Sequence, residues 1–212
     1  MKVLSVNAGR PRAVEWHGKV YRTSIWKQPV EGAVEVRTLN IDGDEQSDLA
    51  VHGGRHKAVY AYPSEHYAKW MQELDAVLPW GAFGENLTLE GLVEDEVRIG
   101  DRLRIGSAVF EVTQPRMPCF KLGIRFDRDD MVRRFLHSGR SGFYLAVVRE
   151  GALAAGDEAI LDTVAEHDVT IADVADAYAT GGEDQNLLRR VIAVPTLPGG
   201  LQQHFARLFQ GR

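Results

Sequence analysis

The chain has 212 residues, 44% of them hydrophobic and 26% charged, which suits one globular domain able to bury a core, with room for a small appendage. Its net charge of −5 excludes a global basic field, so nucleic-acid binding by charge alone is not expected. No apolar run approaches the roughly 18 to 20 residues that cross a bilayer, and Met1 to Asn7 lacks a signal-peptide pattern, so a soluble, cytoplasmic protein without membrane or nucleic-acid partners is expected.

Segments rich in Val, Ile, Tyr, Phe and Thr, several alternating apolar with polar, predict strands at 2–6, 20–25, 34–41, 58–62, 102–105, 109–113 and 143–148. Their number and spacing predict a barrel or sandwich. A helix is expected over Glu65 to Leu74 with Ser64 as N-cap, because Tyr67, Trp70, Met71 and Leu74 recur at helical spacing. Another is expected from about Asp129 to His137, with acidic residues in its first turn and Gly139 beyond its end. Gly100-Asp101 and Gly156-Asp157 each precede a β-rich run, either as ordinary turns or as a shared entry motif.

After about Thr163 the pattern becomes helical. Thr170 is suited to cap a helix through Tyr178, with Asp173 at the third helical position and a stripe of Ile171, Val174, Ala175 and Tyr178. Gly181-Gly182 ends it, and further helices fit Asp184 to Ala193 and Leu201 to Phe209. Three short helices bury little alone. The expected fold is therefore mainly β, a barrel-like domain over 1–163 with peripheral helices, plus a small three-helix subdomain over 164–212.

Four clusters have the composition of a binding site. In the first, Gly53-Gly54 lies among His52, Arg55, His56 and Lys57, which suits either a close-approaching anion or a solvated turn. His52, His56 and Cys119 are also a conceivable zinc set. Glu85 and Asn86 follow Gly84 in a loop that enters a short strand, and Arg140, Ser141 and Gly142 make a cationic, hydroxyl-bearing turn suited to an oxyanion. Both segments are equally ordinary as turns. The fourth cluster holds the sole cysteine: in "TQPRMPCFKLG" Cys119 stands between Pro118 and Phe120, near Arg116, Lys121 and Arg125. It reads either as a small buried hydrophobe or as a thiol that facing cations would hold as thiolate, the form that attacks electrophiles or binds a soft metal.

In order and content, "DLAVHGGRHKAVYAY", "GENLTLEGL", "RIGDRLRIGSAVFEVTQPRMPC" and "GRSGFYLAVVREG" resemble the MOSC domain, named from the C-terminal domain of molybdenum cofactor sulfurases. The resemblance spans about residues 40 to 160, and the C-terminal helices are similar to the three-helix extension of the YiiM-type subgroup. It implies a β-barrel-like fold that binds the molybdenum cofactor, with Cys119 as thiolate ligand of Mo. His52, Gly53, Gly54, Lys57, Glu85, Asn86, Arg116, Arg140, Ser141 and Gly142 become cofactor-pocket candidates, although Arg55-His56 departs from the pair many relatives carry.

The implied activity is oxygen removal from a small N-hydroxylated compound such as 6-hydroxylaminopurine. One cysteine cannot hold a cysteine-ligated iron–sulfur cluster, and no nucleotide-binding fingerprint is present, so an electron-donating flavin or iron–sulfur reductase is the implied partner. Two other functions fit the same residues: sulfur transfer through a Cys119 persulfide, and non-catalytic carriage of the cofactor.

Overall fold

Period-two alternation sets the first strands. In the computed structural model, which describes residues 1–47 and 53–211, β1 (Lys2–Ala8) buries Val3, Ser5 and Asn7 and exposes Lys2. The next pair, β2 (Arg12–Trp16) and β3 (Lys19–Thr23), forms a separate hairpin. His17 and Gly18 both have positive φ at its tip, the turn geometry that follows strand twist. A three-stranded sheet joins β5 (Val34–Arg37) to β6 (Asn40–Ile41) and β12 (Gly151–Leu153).

The main sheet has eight strands, in the order β13 (Ala159–Thr163), β9 (Arg102–Ile105), β10 (Ala108–Pro115), β11 (Phe143–Arg149), β7 (Val59–Pro63), β8 (Leu87–Glu90), β1 and β4 (Gln28–Pro29). Only β7 and β8 run parallel. The sheet curls back on itself: Val3 N donates to Asp157 O at 2.9 Å and Ala159 N to Met1 O at 3.1 Å, joining β1 to the start of β13. The expected barrel-like shape is this closure. Both Gly-Asp pairs are the same turn, because Asp101 accepts from Arg98 N and Asp157 from Ala154 N, each at 2.8 Å, after a positive-φ glycine. They launch β9 and β13, which pair with each other.

Six helices complete the described chain: α1 (Glu65–Leu74), α2 (Phe120–Phe126), α3 (Met131–His137), α4 (Ile171–Ala179), α5 (Gln185–Ile192) and α6 (Gly199–Gln210). Thr170 caps α4 reciprocally, accepting from Asp173 N at 3.1 Å while Asp173 accepts from Thr170 N at 3.0 Å. Ile171, Val174, Leu188, Val191 and Phe205 from the last three helices belong to the same apolar cluster as Val3, Leu103, Phe110 and Leu145 of the main sheet.

Several local expectations need correction. Ser64 precedes α1 but makes no capping bond. Asp130 precedes α3 and is taken up by Arg128 and Arg134, so no acidic residue lies in the first turn of that helix. Ala177 is buried on α4, whereas Ala175 is only half-buried. The sequence reading missed α2 because Pro118 and Gly123 resemble loop punctuation, and it missed β2 because Arg12, Ala13 and Glu15 obscure the alternation.

The capping box gives the C-terminal helices a discrete anchor. Thr170→Ala is expected to destabilise the protein by about 1 kcal/mol in chemical denaturation, while Thr170→Ser retains most of that stability.

Candidate functional site

Strand β10 is buried along most of its length and ends at Pro115, which leaves the next side chain, Arg116, inside the protein. Its guanidinium lies 5.1 Å from the ring centroids of both Tyr60 on β7 and Phe135 on α3. Burial works against the charge, but neighbouring Tyr60, Tyr144 and Cys119 outweigh it and hold the group above the ordinary arginine value. Burial correspondingly pushes Tyr60 and Tyr144 upward, so both remain protonated phenols.

The chain then turns, and Cys119 becomes the residue immediately before α2. It is half-buried on a wall of a cavity of about 90 Å³, together with Arg116, Lys121, Lys57, Tyr60, Tyr144 and Asn86. That placement decides against a thiol packed into the apolar core. A 3-10 turn at Arg55–Lys57 brings in Lys57; Thr113 Oγ1 donates to His56 O at 2.6 Å, and Gln46 Nε2 donates to Lys57 O at 3.1 Å. Burial holds Lys57 below the ordinary lysine value, with Cys119 acting in the opposite sense.

The opposite side is built on Asp44. Its carboxylate accepts from Lys27 Nζ at 2.5 Å, Asn86 Nδ2 at 3.0 Å and Gly9 N at 2.9 Å. Asn86 Oδ1 in turn accepts from Tyr60 N at 3.1 Å, which ties that network to β7. Among the described residues, Lys27, Lys57, Arg116 and Lys121 line the cavity together with Asp44 and Glu45, and Asp44 compensates Lys27. Arg116 Nη1 and Ser24 Oγ are buried without a hydrogen-bond partner among the described residues. Uncompensated donors beside a soft sulfur suit an anionic ligand carrying a thiophilic centre.

The sequence candidates separate by their position relative to the cavity. Lys57, Asn86, Arg116 and Cys119 converge on the cavity. Glu85 lies beneath it, fully buried, accepting from Gly81 N at 2.9 Å, Phe83 N at 3.0 Å and Thr88 Oγ1 at 3.1 Å, as well as from the Tyr67 hydroxyl. Burial raises its pKa against the effect of those bonds, and its task is to organise the loop that presents Asn86. Arg140, Ser141 and Gly142 stand behind the tyrosine wall and do not line the cavity. Arg140 lies 3.9 Å over the Trp70 ring and pairs with Glu73 at 2.7 Å, and the Ser141 carbonyl accepts from Tyr60 OH at 2.8 Å. Gly142 has φ 60, and a Cβ there would come within 2.5 Å of Ala61 O.

Gly53 and Gly54 lead into the 3-10 turn without lining the cavity, and His56 is exposed and does not line it either. His52 lies outside the described residues. Lys27, Asp44, Ser24, Tyr60 and Tyr144 were not singled out from sequence. The lysine and aspartate, 17 positions apart, offered no local pattern, since only folding makes them a pair.

The MOSC domain pattern matches residues 48–159. The chain belongs to the MOSC domain family. YflK of Bacillus subtilis is 46% identical over 154 residues, covering 73% of this MOSC protein and 70% of YflK. YiiM of Escherichia coli is 35% identical over 196 residues, covering 90% and 84%. A Gibberella moniliformis protein named reductase is 35% identical over 159 residues, covering 73% of this chain but 28% of its own length. The crystal structure of YiiM from Geobacillus stearothermophilus superposes with a TM-score of 0.83 at 30% identity, covering 98% of each chain. This is accordingly a YiiM-type MOSC protein, and MOSC domains are associated with the molybdenum cofactor.

Three outcomes follow from the geometry. Phosphate or sulfate is expected to bind the cavity, with Arg116→Gln weakening binding by about 1.5 to 3 kcal/mol in calorimetry. Because Lys57 loses its proton below the ordinary lysine value of 10.5, anion affinity should fall with rising pH earlier than an unperturbed lysine would dictate. Gly142→Ala is expected to cost more than about 1 kcal/mol of stability, measured by denaturant titration.

Proposed function

We propose that this MOSC protein is a molybdenum-cofactor-dependent reductase of N-hydroxylated compounds such as 6-hydroxylaminopurine, with Cys119 as the thiolate ligand of Mo. The observation that carries the reading is the placement of the chain's sole cysteine on a cation-lined wall beside the unpartnered Arg116 Nη1. The relative named reductase supports the reaction class.

When bound, the cofactor supplies two-electron chemistry at a centre that accepts oxygen. The chain's residues supply the setting for it. Cys119 sulfur offers one soft ligand from a backbone position braced by Leu122 N, which donates to Cys119 O at 2.9 Å. Arg116, Lys57 and Lys121 match the charge of an anionic group, and Ser24 Oγ supplies a further polar contact. Asp44 keeps Lys27 and Asn86 fixed through hydrogen bonds, so the cavity is preorganised before any ligand arrives.

The net change is R–NHOH plus two electrons and two protons giving R–NH2 and water. Tyr60 and Tyr144 are protonated hydroxyl groups on the cavity wall, available to orient a polar ligand. Electrons come from a separate flavin or iron–sulfur reductase.

The test is Mo and pterin content per chain for wild type and Cys119→Ala purified from a cofactor-competent host, with reduction of 6-hydroxylaminopurine under an artificial electron donor. Near-stoichiometric Mo and measurable turnover are expected in wild type. The variant should fold normally and lose at least about a hundredfold in rate, equivalent to about 2.7 kcal/mol. Full activity in Cys119→Ala would refute the ligand assignment. Cyanide-releasable sulfur without Mo would establish persulfide transfer instead, and bound Mo without turnover would establish a carrier.

A further inference from the structure

A second, wider cleft lies beside the cavity, and the residue common to both is Lys27. Its volume of about 710 Å³ falls in the range of small-molecule sites, whereas the first cavity holds about 90 Å³. Arg10, Arg12 and Arg125 line it together with Lys27, Trp26 and Trp80, and no carboxylate is among the described lining residues. These residues come from distant parts of the sequence: the end of β1 and start of β2, the loop before β4, the segment before Gly81, and the last turn of α2.

The arrangement around Trp26 is unusual for a surface left to water. The Arg12 guanidinium sits 3.9 Å over its ring, and Arg125 approaches the same ring at 5.9 Å. Two like charges thus converge on one indole. Arg125 Nε is buried and has no hydrogen-bond partner among the described residues. Desolvation and the nearby Arg12 charge both disfavour the Arg125 cation. An anion seated between the two guanidinium groups would relieve the repulsion and satisfy the buried donor.

The backbone that carries Trp26 and Lys27 is tightly constrained. A Cβ at Gly9 would approach Trp26 O to 2.5 Å, and one at Gly81 would approach Lys27 O to 2.9 Å. Trp80 is held edge-on against Tyr67 at 4.6 Å between ring centroids. The cleft therefore combines fixed indole surfaces with an excess of guanidinium groups, the combination that suits a flat aromatic ring bearing a phosphate.

We propose that this cleft binds the phosphate-bearing part of a nucleotide, and that the substrate presented to the Cys119 cavity is an N-hydroxylated nucleoside monophosphate in preference to the free base. The substrate role rests on the reductase reading, whereas nucleotide binding in the cleft does not. In this arrangement Arg12 and Arg125 grip the phosphate, the tryptophans contact the flat part of the ligand, and Lys27 marks the passage toward the reacting end.

The first arm of the test measures binding of AMP to the full chain by calorimetry, with adenosine and inorganic phosphate as comparators. AMP is expected to bind at least about tenfold more tightly than either, and Arg12→Gln/Arg125→Gln to lose at least about tenfold in AMP affinity. Arg12 is exposed, so Arg12→Glu alone tests the charge requirement without disturbing the core. Absence of saturable AMP binding, or phosphate binding as tight as AMP, overturns the proposal. The second arm compares kcat/KM for 6-hydroxylaminopurine and its ribonucleoside monophosphate in the cofactor-loaded protein. The nucleotide should be preferred by at least about tenfold, with the preference lost in the double variant. Equal kcat/KM for both, or release of a nucleotide together with the cofactor on denaturation, overturns the substrate role. AMP binding with neither compound reduced would remove the reductase reading and leave the nucleotide site standing. Free-base reduction without AMP binding would do the reverse.

Discussion

The buried charge of Arg116 is the constraint around which the site is organised. A desolvated guanidinium costs several kcal/mol unless it is compensated, and no carboxylate forms an ion pair with it in the structure described. Compensation comes from aromatic faces and phenol oxygens: Tyr60, Tyr144 and Phe135 surround it. Those rings require β7, β11 and α3 to be in place, so the paired core of the sheet exists partly to hold this one side chain. One guanidinium nitrogen remains unsatisfied, which leaves a binding capacity for an anion.

The buried carboxylates Asp44, Glu85 and Glu94 serve as internal fasteners. Asp44 gathers Gly9, Lys27 and Asn86 onto one group, and Glu85 gathers Gly81, Phe83, Tyr67 and Thr88. Each ties loop backbone to neighbouring elements: Glu85 joins the Gly81–Phe83 turn to Tyr67 on α1 and Thr88 on β8. Glu94 does the same behind the tyrosine wall, accepting from Gly142 N at 2.6 Å while His66 lies 2.7 Å from its other oxygen. The negative charges of these groups are consumed by backbone and side-chain donors, and among the described residues Arg116 keeps one guanidinium nitrogen without a hydrogen-bond partner.

The motif residues accordingly divide between two tasks that look alike in a sequence. Arg116 and Arg140 both follow turn-forming residues and both stack on aromatic rings. Arg116 reaches the cavity beside Cys119, whereas Arg140 spends its charge on Glu73 and Trp70. Which of the two serves the ligand depends on the side of the β7 and β11 strands each side chain faces, and a register of one residue changes that face.

Hydrophobic alternation was enough to place most strands of the main sheet, and the Thr170/Asp173 spacing was enough to start α4, because both signals arise within a few residues of chain. The cysteine and its neighbouring arginine and lysine were visible for the same reason. Neither the partner of Lys27, nor the orphaned donor of Arg116, nor the diversion of Arg140 was legible, because each depends on residues outside its own local stretch of chain. The amino-acid sequence by itself determined most strands of the main sheet, the sole thiol and the family. Tertiary structure alone decided which charges are neutralised and which remain open to a ligand, because compensation of a buried charge is a matter of distance in space.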